Sequence, residues 1–188
     1  CIRDSNNTDG DLYIYGDYQN STYSDYWSYE TDFDGTNLSG GDERQVEVYV
    51  EGGGSVEWVG GGIEAVGSSS ATTTIQNQGS GTYSLTASGT ASFDWNYVNP
   101  RDLTSSGVTF GGTPSVTDFS NIDLLAEINS SSMVTVLGSV ITANPAKNFS
   151  GNYFNDDVGV TGSSNVEEIG ATLSAWRFTA HSGDRDGE

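Results

Sequence analysis

Apolar residues in this chain recur with a period of two, and clusters of Gly and Asn interrupt the alternation about every eight to twelve residues. A period of two sends successive side chains to opposite faces of a strand, whereas an amphipathic helix needs spacings of three and four. No segment carries helical spacing over a useful length. The cleanest strand is 45–51, with Val46, Val48 and Val50 on one face and Glu47, Tyr49 and Glu51 on the other. Further strands read over 12–15 and 23–33. Segments 56–59 and 63–66 flank Gly60-Gly61-Gly62, the spacing of a hairpin turn or a sharp strand bend. Segments 72–78 and 82–87 flank Gly79-Ser80-Gly81 and read as an antiparallel pair. In 91–97, Phe93, Trp95 and Tyr97 share one face; 99–118 is looser and holds Pro100 and Pro114. Strands over 122–128, 133–143, 149–154 and 169–178 complete the chain. Many short strands, tight turns and no helix predict an all-β fold, a single antiparallel β-barrel or sandwich of many short strands. That domain spans 11–188, behind a linker over 1–10.

The charge balance removes one class of partner. With 26 acidic and 6 basic residues the formal net charge is -20. Nucleic acid binding needs a basic stripe to meet phosphate, and this chain has none, so nucleic acid is excluded as a partner. An anionic lipid surface repels the same body, so attachment to a membrane has to come from something other than charge. No apolar run approaches the ~20 residues of a membrane-spanning helix.

Cys1 is the one cysteine, and Asp/Asn/Ser/Gly-rich sequence follows it. A single Cys makes no internal disulfide and no metal site. A chain that begins at Cys with such a flank resembles a processed bacterial or archaeal lipoprotein. There the thiol carries a diacylglycerol and the polar linker spaces the folded part from the bilayer. The expectation is lipid attachment at Cys1, membrane contact through that lipid alone, and a location at the extracellular face of the outer membrane or in the periplasm.

From about Phe93 onward, short motifs resemble the β-barrel domain of the transferrin-binding protein B and factor H-binding protein family of surface lipoproteins. Phe93-Asp94-Trp95-Asn96-Tyr97 is similar to that family's aromatic-alternating strand. Leu125-Ala126-Glu127-Ile128 and Leu137-Gly138-Ser139-Val140 follow it as expected. Ser150-Gly151-Asn152-Tyr153-Phe154 and Val166-Glu167-Glu168-Ile169-Gly170 resemble its closing strands. The resemblance implies a β-barrel that captures a ligand through its loops.

Catalytic chemistry has little to stand on. His181 is the one histidine and falls close to the C-terminal end, which argues against a His-based triad, and no nucleotide or zinc motif appears. Calcium is the one metal with support. Asp4, Asn6 and Asp9, and separately Asp32 and Asp34, set hard oxygen ligands at close spacing in Gly-containing loops, although neither run fits the twelve-residue calcium loop. Aromatics crowd 13–33, and Tyr18, Tyr26 and Trp27 are the residues expected to stack on a ligand or anchor a protein partner.

The reading is therefore a non-enzymatic, lipid-anchored extracellular or periplasmic binding protein that recognises a protein or small ligand through loops and an aromatic face. Its acid-rich loops would prefer a basic or cation-bridged partner. The alternative is self-assembly, as a structural subunit of a filament, surface layer or membrane-complex assembly, built by strand addition at an open sheet edge.

Overall fold

The structure is a computed structural model that describes residues 2–4, 12–22, 24–26, 46–67, 69, 72–156, 161–162, 164–170 and 176–183. After β1 (Ile2–Asp4), strands come in triplets. The first is β2 (Leu12–Ile14), β3 (Asp17–Asn20) and β4 (Ser24–Tyr26). The second is β5 (Val46–Glu51), β6 (Ser55–Trp58) and β7 (Gly62–Val66), and the third is β8 (Thr73–Gln78), β9 (Tyr83–Ala87) and β10 (Ser92–Asn96). The fourth is β11 (Val98–Pro100), β12 (Leu103–Phe110) and β13 (Ser115–Ser120). Then follow β14 (Asp123–Ala126), β15 (Ser132–Leu137), the short helix α1 (Gly138–Ala143), β16 (Lys147–Ser150), β17 (Tyr153–Asp156), β18 (Ser164–Ile169), β19 (Trp176–Thr179) and β20 (Ser182–Gly183).

Among the described residues, only β1 pairs with the strand that follows it. From β2 to β10 each strand pairs instead with the strand three places on, in parallel. Three faces result. Face A stacks β2, β5, β8 and β11; face B stacks β3, β6, β9, β12, β15 and β18; face C stacks β4, β7, β10 and β13. The chain is a parallel β-solenoid with about four turns paired on every face. β1 adds to the outer edge of β2 as the one antiparallel strand among the described residues, and it covers that end of face A.

Corners rest on residues that accept a left-handed backbone. Between faces C and A the φ angles are 58° at Tyr97, 54° at Asn121, 72° at Gly151 and 52° at Ala180. The corners are themselves laddered: Gly67 donates to Asn96 O, Tyr97 to Ser120 O, Asn121 to Ser150 O and Gly151 to Thr179 O at 2.8–3.3 Å. Between faces B and C, Gly89 is obligatory, since a Cβ there would collide with Val59 O.

Inside, each rung contributes alternate residues to continuous ranks. Tyr18, Val56, Leu85, Val108, Val134 and Val166 form one rank behind face B. Trp58, Phe93, Trp95, Phe110, Phe119, Phe149 and Trp176 form an aromatic column up the middle, with edge-to-face contacts such as Phe93–Phe110 at 4.9 Å and Phe149–Trp176 at 5.2 Å. Such geometry adds about 0.5–1.5 kcal/mol per pair beyond area burial.

After the fourth turn the ladders on faces A and C break, while face B runs on. Side chains supply the missing partners. The Asn144 amide accepts from Val116 N (2.9 Å) and donates to Pro114 O (2.7 Å), as a neighbouring backbone would. Asn152 does the same, accepting from Ile122 N and donating to Phe119 O, both at 3.0 Å. On face A the Arg101 guanidinium bonds Asp123 O at 2.7 Å and pairs with the Asp123 carboxylate.

These observations correct the sequence expectation of an antiparallel β-barrel or sandwich. Parallel and antiparallel strands share the same period of two, so alternation alone does not choose between them. Gly60-Gly61-Gly62 and Gly79-Ser80-Gly81 are corners: β6 and β7, and likewise β8 and β9, belong to different faces rather than to hairpins. The loose-looking 99–118 holds three regular strands, and 133–143 divides into β15 and α1. The barrel implied by the family resemblance falls with the same finding. Phe93 and Trp95 do share the inner face, but Tyr97 turns a corner, and Gly151 separates β16 from β17 where one strand was expected.

Candidate carboxylate rank on face C

Face C places one acid on each of three successive rungs. Glu64 on β7 pairs in register with Asp94 on β10, and Asp94 with Asp118 on β13. Alternation turns Glu64 outward between buried Ile63 and Ala65, and Asp94 outward between buried Phe93 and Trp95. The alignment of Asp118 depends on a β-bulge. Register shifts between Phe93 and Asp94, so that Val116 faces Phe93 but Asp118, not Thr117, faces Asp94. Strand spacing sets successive carboxylates about 4.8 Å apart at the backbone.

The electrostatics follow from that stacking. Partial burial pushes the Asp94 carboxyl above its usual value, and the flanking Asp118 and Glu64 add to the rise. Asp118 is held by donors: Asn96 Nδ2 at 3.0 Å, the Phe119 amide at 2.8 Å and Ser120 Oγ at 2.6 Å. Asn121 Nδ2 in turn donates to Asn96 Oδ1 at 2.9 Å, which orients the Asn96 amide toward Asp118. The rank thus offers a row of acceptors along one sheet face. It is no chelating cage: among the described residues, no group of three or more His, Cys, Asp and Glu side chains is arranged to hold a metal ion.

The residues singled out from sequence distribute unevenly around this rank. Tyr26 is the β4 residue in register with Glu64. Tyr18 lies on β3, half-buried and packed against the core on the Val56 rank. Asp4 belongs to β1, opposite Leu12. Cys1, Asn6, Asp9, Trp27, Asp32 and Asp34 lie outside the described residues. His181 is exposed, its ring centroid 6.2 Å from that of Phe154. Sequence reading missed Glu64, Asp94 and Asp118 as a group. The available signal was that Glu64 and Asp94 are outward residues of alternating strands; Asp118 breaks the alternation set by Val116, and only the turn lengths and the bulge bring the three into one row.

Fold and site together define the class: a parallel β-solenoid with an acidic outer rank. No protein family, curated protein or solved structure matches the chain.

Proposed function

We propose that this chain is a non-enzymatic recognition module that binds a cationic or cation-bridged partner along face C. The carrying observation is the in-register row Glu64, Asp94 and Asp118 on one parallel sheet. Three like charges in one row repel, and a partner bearing ammonium or guanidinium groups, or calcium shared with a partner carboxylate, relieves that repulsion on binding. In this reading the module is held at the extracellular face of the outer membrane or in the periplasm by a lipid on Cys1, and the lipid supplies the membrane contact that the charge opposes.

The test uses the full chain immobilised on a surface, with an oligolysine peptide and calcium chloride as separate probes. The triple variant Glu64→Gln, Asp94→Asn, Asp118→Asn is expected to weaken peptide binding at least about tenfold, and salt to weaken it in the wild type. Equal peptide affinity for the wild type and the triple variant rejects the reading. Calcium that strengthens capture of an acidic peptide by the wild type alone identifies the bridged mode.

A further inference from the structure

The core is unevenly closed at the C-terminal end of face B. Strand β18 is the last in its sheet and, among the described residues, pairs on one side only, with β15. β15 is buried along almost its whole length, whereas on β18 the inward-facing Val166 is only half-buried and Ile169 is 51% exposed. The backbone orientation of β18 is fixed by the bond from Ser164 N to Ser131 O at 2.8 Å. Because successive amides of a strand point to opposite sides, those of Val166 and Glu168 also turn toward β15, while those of Glu167 and Ile169 turn to the open edge. Glu168 continues the inward rank of Trp58, Ala87, Phe110 and Val136, and its Oε1 is buried without a hydrogen-bond partner. Glu167 stands beside it on the outward side, with one oxygen accepting from Ser132 Oγ.

We infer that the outer edge of β18 is a strand-addition site for an extended basic segment of another protein. The segment adds in parallel as the next rung. Its chemistry is set by the four positions it meets: an apolar side chain over Val166, Lys or Arg over Glu167, a donor, Lys or Arg, over Glu168, and an apolar side chain over Ile169. The backbone edge supplies affinity, and the alternating side chains supply register. A whole second copy is a poorer occupant. Stacking its β3 on β18 would bring its β1 and β2 onto the layers already filled by β17 and β20 on the adjoining face. This site lies on a different face from the carboxylate rank and stands without it.

The probe is a synthetic peptide with Val-Lys-Lys-Ile at its centre; the controls carry Val-Glu-Glu-Ile and the shuffled Lys-Val-Ile-Lys. Hydrogen exchange is followed residue by residue in the full chain. The Lys-Lys peptide is expected to slow exchange at the Glu167 and Ile169 amides while leaving Val166 and Glu168, already bonded to β15, unchanged. The double variant Glu167→Gln, Glu168→Gln is expected to bind about tenfold more weakly. The triple variant on face C is expected to keep the β18 protection in full. No protection at Glu167 and Ile169, or equal protection by the control peptides, overturns the inference. Protection that grows with protein concentration in the absence of peptide also overturns it, in favour of a second copy at this edge.

Discussion

Asp94 sits between two acids that the fold has brought to it, and its titration should report that stacking. A carboxyl whose folded pKa lies above its unfolded value binds its proton more tightly in the folded state. The folded state is therefore favoured most at low pH, and stability is lost as pH rises from the ordinary carboxylate value of about 3.9 through the raised one. Asp94→Asn removes that loss. The variant should melt at a higher temperature than the wild type at about pH 7, and the gap should close toward about pH 3, where the wild-type carboxyl is protonated. Circular dichroism melts across that range decide it; a variant less stable at neutral pH contradicts the electrostatic account. Tyr83 is a second residue defined by its surroundings. Burial holds its hydroxyl well above the ordinary tyrosine pKa, with Asp102 and Glu127 adding to the rise, and that hydroxyl donates to Ile75 O at 2.9 Å.

At the level of elements, backbone pairing and its replacement by amide side chains divide the work. In the second and third turns each strand is paired with the strand above and the strand below. Where α1 interrupts face C, Asn144 bonds the edge of β13, and its own carbonyl accepts from Trp176 Nε1 at 3.0 Å. Asn144 is thereby tied to both the lower ladder and the aromatic column. Asn144→Ala would leave the Val116 amide and the Pro114 carbonyl without that partner inside the protein. Each unpaired buried group costs about 1–3 kcal/mol, so a loss of at least about 2 kcal/mol is expected in urea unfolding. Asn144→Asp, which keeps the acceptor but removes the donor to Pro114 O, should destabilise as well. Wild-type stability in the alanine variant would mean that water or a shifted backbone replaces the amide.

For the whole molecule, a net charge of -20 on 188 residues is a standing repulsion. The ion pair of Arg101 with Asp123 offsets little of it. Screening should therefore stabilise the protein. Raising salt from ~0.1 M to ~1 M shortens the screening length from ~10 Å to ~3 Å, less than one strand spacing. The melting temperature should climb over that range with sodium chloride, and a flat or falling curve would show that the acids are already compensated within the fold.

Much of the secondary structure was legible. Val46, Val48 and Val50 alternate with Glu47, Tyr49 and Glu51 in the sequence, and β5 has that alternation in the structure, with Val48 and Val50 fully buried. The Gly clusters do mark chain turns, and the all-β class follows from the period of two. Partnering was not legible, because a corner and a hairpin draw on the same residues. Gly60-Gly61-Gly62 permits either, and only burial of Trp58, Phe93 and Phe110 in one shared column decides that the chain winds onward rather than folding back. The carboxylate rank was hidden for a related reason. Glu64, Asp94 and Asp118 become neighbours through parallel stacking of separate turns and a one-residue bulge at Thr117, which no local pattern encodes. The sequence by itself determined strands, turns and charge, since these depend on neighbours along the chain. Tertiary structure alone decided which strands meet, because that choice rests on the burial of side chains far apart in sequence.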